Sequence, residues 1–228
     1  MAGLRLGGLA KHGISGQPAD LHGNRNGWDR SMSDDDKVSP FPAAVSAAPR
    51  ASAPLPPGKL EMVITYLEML QAPPPRAAAW RAEPIAIIRA RRPTVSFYRY
   101  LYESVGRAWM WYERCALDDA ALAAIVQHPL VEVYVLYLEG VPAGYVELDR
   151  RQGNDIELAY FGLMPEFIGR GLGRYLLDWA VARAFEYAPD RLWVHSCNHD
   201  HPGALAGYQR AGFQVFRQER TIIDDPRR

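Results

Sequence analysis

The stretch LMPEFIGRGLGRYLLDWA, Leu163 to Ala180, places glycines at alternate positions, 169, 171 and 173, between an apolar run closed by Pro165 and a segment of helical spacing. Glycine enters the φ > 0 region without penalty and lets a neighbouring group approach the main chain. A chain built this way must turn from a strand into a helix with bare backbone amides at the turn. Beyond the turn, Leu172, Leu176, Ala180 and Ala184 recur beside Leu177, Val181 and Phe185, with Arg174, Asp178 and Glu186 opposite. That is one apolar stripe, so the helix packs on a sheet.

Amides that open a helix form an anion site, and three phosphate-holding patterns use glycine to expose them. A P-loop requires a Lys followed by Ser or Thr after its glycines, and no such pair occurs here. The dinucleotide fingerprint fails because Arg174 stands where its third glycine belongs. A pyrophosphate grip remains, in which the amides of the turn act together with the positive charge of Arg170 and Arg174. The plainer alternative is a turn whose glycines serve geometry alone.

Around this turn the chain reads as one folded domain behind a tail. Residues 1–58 are rich in Gly, Ala, Ser and Pro and have no apolar period, so a disordered tail is expected there and a folded domain over 59–228. LEMVITYLEML reads as the first strand, followed by a proline-rich connection through APPPR. TVSFYRYLYESVG and DDAALAAIVQH read as helices, the second opened by Asp118 and Asp119. VEVYVLYLEG, VPAGYVELDR and DIELAYFGLMP, joined at Glu139-Gly140 and Gly153-Asn154, read as an antiparallel meander. DRLWVHS is a further strand, PGALAGYQRAG a helix stopped by Gly212, and FQVFRQERTII a last strand or pair. The expected class is α/β: a mixed, mostly antiparallel sheet of six to seven strands flanked by helices.

The 228 residues carry 26 basic and 26 acidic side chains, a formal net charge of zero. This balance gives no general pull on nucleic acid or anionic lipid, so a small ligand held by local groups fits better than a polymer. Cys115 and Cys197 are the two cysteines and form no CxxC pair, which fits a reducing compartment rather than a disulfide scaffold. No apolar run is long enough to cross a bilayer, and no signal-like apolar segment follows the first basic residues. The expected location is the cytoplasm.

The loop Ile168-Gly169-Arg170-Gly171-Leu172-Gly173 resembles the [QR]xxGx[GA] element of the GNAT acyltransferase superfamily, and Ala204 to Phe213, ALAGYQRAGF, is similar to that family's helix-ending pattern. The resemblance covers residues 60–224. It implies an acyl-CoA N-acyltransferase fold and transfer of an acetyl group from the cosubstrate acetyl-CoA to a primary amine of a small molecule or peptide. A non-catalytic acyl-CoA-binding or sensing domain is the alternative. Neither nucleic acid nor membrane is implied as a partner, and a homodimer is compatible with the family. Carried over residue by residue, the cofactor contacts fall on Leu163, Met164, Gly169, Arg170, Gly171, Leu172, Gly173, Arg174 and Asn198. Tyr208 matches the tyrosine that can give a proton to the departing thiolate, and Glu157 matches the position of a glutamate base, expected to share a face with Ala159 and Phe161. Two residues depart from the pattern: Ile168 replaces Gln or Arg, and His201 replaces an Asn.

Two other features were candidates for chemistry. In VHSCNHDH, residues His195, Cys197, His199 and His201 alternate and would share a face if the strand continued. A loop must begin there, so the expectation is no metal. The rings of Phe97, Tyr98, Tyr100, Tyr102, Trp109, Trp111 and Tyr112 coincide with the family's acceptor side. They are expected to divide between core and pocket wall.

Overall fold

A computed structural model of the chain describes residues 55–74 and 83–227. The expected tail lies outside the described residues up to position 54, as does part of the proline-rich connection. Pro56 to Gly58 form a turn, in which the Lys59 N–H donates to the Pro56 carbonyl at 3.1 Å.

The elements run β1 (Lys59–Met69), β2 (Ile85–Arg89), α1 (Val95–Gly106), α2 (Asp119–Val126), β3 (Val131–Leu138), β4 (Val141–Gln152) and β5 (Asp155–Leu163). A 3-10 turn at Pro165–Phe167, α3 (Leu172–Phe185), β6 (Arg191–Cys197), α4 (Ala204–Ala211) and β7 (Gln214–Asp224) complete the chain. The seven strands form one sheet in the order β2-β3-β4-β5-β6-β1-β7. Every pairing is antiparallel except β5 with β6. The first strand in sequence therefore lies inside the sheet, one strand in from its edge, between β6 and β7.

Local chemistry sets the element ends. Thr94 Oγ1 accepts from the Phe97 N–H at 3.3 Å and Asp118 Oδ1 from the Ala121 N–H at 2.8 Å, so each caps its helix. Glu139 and Gly140, at φ 52° and 83°, make the tight β3–β4 turn. FQVFRQERTII resolves as a single strand. The short IAIIR strand, β2, had no expectation, because five residues beside Arg91, Arg92 and Pro93 show too little alternation.

The sheet buries both faces. Leu136, Val146, Leu148, Ile156 and Leu158 pack against Leu172, Leu176, Leu177 and Ala180 of α3 and Tyr208 of α4. On the other face, Tyr98, Leu101, Tyr102 and Leu122 cover Val133, Val135 and Tyr145. Within the first layer Glu132 is only 1% exposed. It faces Arg89 and Arg150 at 3.1 Å each and Arg183 at 3.6 Å. The hydroxyls of Tyr134 and Tyr187 donate to it at 2.7 Å. One buried carboxylate thus ties β2, β3, β4 and α3 together.

Candidate active site

Pairing between β5 and β6 begins at Asp155↔Arg191 and ends at Glu157↔Trp193, although β5 continues to Leu163 and β6 to Cys197. The two strands therefore separate into a wedge. Its cause lies two residues on. The β4–β5 register shifts between Glu147↔Tyr160 and Leu148↔Leu158, which leaves Ala159 as an extra residue, and a bulge bends and twists its strand.

This bulge corrects the expected facing of β5. Phe161 does not share a face with Glu157. It lies with the α3 and α4 layer, 6.1 Å from the Tyr208 ring. Tyr160 takes the expected place, packing against Tyr102 and Trp111 on the α1 side. Strict alternation, counted through an extra residue, assigns every later side chain to the wrong face.

The main chain of the wedge also has a direction. The Met164 N–H donates to the Ala143 carbonyl at 2.9 Å, which makes Gly144↔Leu163 and Val146↔Phe161 non-hydrogen-bonded pairs. The backbone groups of Phe161 and Leu163 therefore point away from β4, into the opening. Of the two residues expected to offer amides there, Leu163 does so. Met164 has its N–H committed across the sheet and its side chain buried with the α1 layer.

At the wide end of the wedge the glycine turn enters α3. Gly169 and Gly171 hold φ of 83° and 73°, the left-handed region, and Gly171 caps the helix without a side-chain bond. Both geometric requirements of an anion cradle are met: the amides of Leu172, Gly173 and Arg174 open the helix, and no Cβ stands before them. A Cβ on Gly173 would come 3.7 Å from Leu163 Cδ1, so the turn and the wedge wall adjoin. Arg170 lies 3.4 Å from Glu83, and Arg174 lies 3.6 Å from Asp178. Ile168 is exposed beside them.

Asn198 is not brought to this opening. Its Oδ1 accepts from the Val63 N–H at 2.8 Å and its Nδ2 donates to the Glu61 carbonyl at 3.2 Å. The side chain therefore extends the β6–β1 pairing on the side away from β5. The alternating His and Cys residues also diverge. His199 Nε2 bonds the Glu61 carbonyl at 2.9 Å, and His201 Nδ1 accepts from the Gly203 N–H at 3.0 Å while its ring meets Trp109. Asp200 accepts from Ser196 Oγ and the Cys197 N–H, at 2.8 Å each, and turns the chain out of the strand.

Tyr208 is buried between Phe161 and Phe213. Burial, with the Asp200 charge adding to it, raises its pKa well above the ordinary phenol value. The hydroxyl is therefore a protonated donor. At the apex of the wedge, on the opposite face, Glu157 Oε1 lies 3.3 Å from His195 Nδ1. The sequence marked both residues but not their pairing, which parallel neighbours on β5 and β6 create. Partial burial works against a charged His195, and the bond and charge of Glu157, with smaller help from Glu113 and Asp200, more than offset it, raising the pKa above 6.5. Such a raised value adds stability that is fully present below about pH 6.5 and is lost as pH rises through the folded midpoint. In an NMR titration His195 should titrate above its ordinary value, and Glu157→Gln should bring it down. An unmoved midpoint would show that the contact is incidental.

Below this apex the aromatic stretch divides between core and surface. Tyr98 and Tyr102 are fully buried, whereas Tyr100 is exposed and Trp109 lies over His201. The buried rings support a charged group that sequence reasoning missed. Glu147, fully buried, accepts from Tyr98 Oη at 2.5 Å and from Arg114 Nη2 at 2.7 Å. Burial raises the Glu147 pKa, and the Arg114 charge and the Tyr98 bond pull it partly back.

A mixed seven-stranded sheet, parted between two parallel strands beside a glycine turn that opens a helix, defines the acyl-CoA N-acyltransferase fold. The model of the Acetyltransferase (GNAT) family matches residues 73–213, more than half of the chain, and the chain belongs to that family. Among curated proteins it is 25% identical over 118 residues to an uncharacterized N-acetyltransferase of Lactobacillus delbrueckii subsp. lactis, covering 49% of this chain and 68% of that one. It is 26% identical over 99 residues to an uncharacterized N-acetyltransferase of Mycobacterium bovis, covering 43% and 63%. Among solved structures, a GCN5-related N-acetyltransferase from Sphaerobacter thermophilus superposes with a TM-score of 0.52 at 18% identity, over 71% of this chain and 50% of that one. A functionally unknown conserved protein from Staphylococcus epidermidis gives 0.51 at 16%, over 73% and 63%. The chain thus spans between 50% and 68% of the length of these relatives, and the structural likeness is one of fold. Among the described residues no helix is long and apolar enough to cross a membrane.

Proposed function

We propose that this chain is an N-acetyltransferase that moves an acetyl group from acetyl-CoA to a primary amine. The observation that carries the reading is the continuous path from the left-handed glycine turn, along the outward backbone of Leu163 and Phe161, to Tyr208. Membership of the family supports it, as do the N-acetyltransferase names of the relatives in Lactobacillus delbrueckii and Mycobacterium bovis.

The cosubstrate supplies an activated acyl thioester. The amides of Leu172, Gly173 and Arg174 hold its pyrophosphate, with Arg170 and Arg174 adding charge, and the Leu163 backbone orients its arm. Glu157 takes a proton from the incoming ammonium, and His195 links that carboxylate to solvent. Tyr208 Oη gives its proton to the leaving thiolate as the C–S bond breaks and takes back the proton that the attacking nitrogen sheds as the amide forms; its raised pKa makes the tyrosinate short-lived and drives that return.

Release of thiol from acetyl-CoA, followed across a panel of small amines and amino-terminal peptides, tests this reading. Amine-dependent release is expected. Tight acetyl-CoA binding with no release for any acceptor would instead make the chain a binding or sensing domain.

A further inference from the structure

β7 ends the sheet, and among the described residues no strand pairs with its outer edge. It is one of the longest strands, Gln214–Asp224, and exposed over most of its length. A long open edge presents a row of unpaired amides and carbonyls, which natural proteins cover, shorten or protect with charge. Here the exposed apolar side chains Val215, Phe216 and Ile222 sit on that strand instead.

The direction of the edge groups follows from the inner pairing. The Asp225 N–H donates to the Gly58 carbonyl at 2.9 Å. In the register that pairs Lys59 with Asp224, Glu61 with Ile222 and Val63 with Arg220, alternation turns the backbone groups of Gln218, Arg220, Ile222 and Asp224 outward. The Asn198 N–H, which donates to the Val63 carbonyl from the β6 side at 3.1 Å, agrees with this phase.

We propose that this edge pairs with a second copy of the chain, antiparallel about a two-fold axis at Ile222. In that register Ile222 faces its own counterpart, and Arg220 of each copy stands opposite Asp224 of the other. All three residues have outward backbone groups, so each facing pair closes as a hydrogen-bonded pair. The charges match on both sides of the axis. Within one copy Lys59 already meets Asp224 at 2.6 Å and Arg220 meets Glu61 at 2.9 Å. Pairing extends these contacts into a row across four strands, Lys59, Asp224, Arg220 and Glu61, that alternates in sign throughout. Centring the axis two residues earlier would set Arg220 against Arg220, which like-charge repulsion disfavours. The exposed Ile222, more than half accessible at 56%, loses its water in the chosen register. Joining edges in this way makes one sheet continuous through both copies.

Light scattering and sedimentation of the full chain test the pairing. Wild type is expected to be a dimer at micromolar concentration. Ile222→Pro removes an outward N–H and leaves the β1 ladder intact, so it should give a monomer of unchanged far-ultraviolet circular dichroism. Arg220→Asp and Asp224→Arg should each weaken dimerisation about tenfold or more, two facing pairs being lost in each case, and mixing the two single variants should restore it as a heterodimer, because both acids of one copy then face the arginines of the other. A wild-type monomer at all concentrations, a dimer indifferent to Ile222→Pro, or mixed single variants without rescue would overturn the proposal.

Discussion

Glu132→Ala is expected to destabilise the domain by about 3–5 kcal/mol, the usual cost of removing one partner from a buried ion pair. The loss is large because Glu132 is the common acceptor. Arg89, Arg150 and Arg183 surround it, and the Tyr134 and Tyr187 hydroxyls complete its lone pairs. Removing it leaves three guanidinium groups facing one another across β2, β4 and α3. Its pH signature has a definite sign. Burial raises the Glu132 pKa, but the two tyrosine hydroxyls and the Arg89 and Arg183 charges outweigh burial and lower it. A depressed value contributes stability above the unfolded carboxylate pKa, about 4.3, which is lost as pH falls through the folded value. Urea unfolding at several pH values should therefore show Glu132→Gln less sensitive to acid than wild type. A change in midpoint below that expected for a surface substitution would show that the arginines are satisfied elsewhere.

Tyr208→Phe should lower kcat for acetyl transfer by about ten- to a thousandfold, the range for loss of one general acid, with acetyl-CoA affinity nearly unchanged. The ring keeps its contacts with Phe161 and Phe213, so phenylalanine removes the proton and little else. Equal falls in kcat and melting temperature would mark the tyrosine as structural. Unchanged turnover would pass the proton role to water.

Much of this arrangement was legible in the sequence because it rests on local signals. The glycine turn, the Asp118 cap, the Glu139-Gly140 hairpin and the Gly212 stop each depend on a few adjacent residues, and each stands where its pattern places it. What escaped is non-local. The place of β1 inside the sheet follows from pairing with β6 and β7, which no periodicity within LEMVITYLEML encodes. The bulge at Ala159 leaves no mark in composition, yet it moves Phe161 to the Tyr208 side and Tyr160 to the Glu157 side. Glu132 and Glu147 read as polar residues alternating within strands, and only the fold shows that each faces inward to arginines from distant segments. Asn198 was placed by resemblance, and its amide instead completes the edge of β6 against β1.

Isothermal titration of acetyl-CoA into wild type and Gly171→Glu bears most directly on the site. Gly171 holds φ 73° at the cap of α3. A glutamate there adds both left-handed strain and a negative charge where the pyrophosphate is to lie. Saturable one-to-one binding to wild type, weakened at least about a hundredfold in a folded Gly171→Glu variant, is the expected result. Absence of binding to wild type, or equal affinity in the two proteins, would contradict the assignment of the glycine turn as the cosubstrate grip.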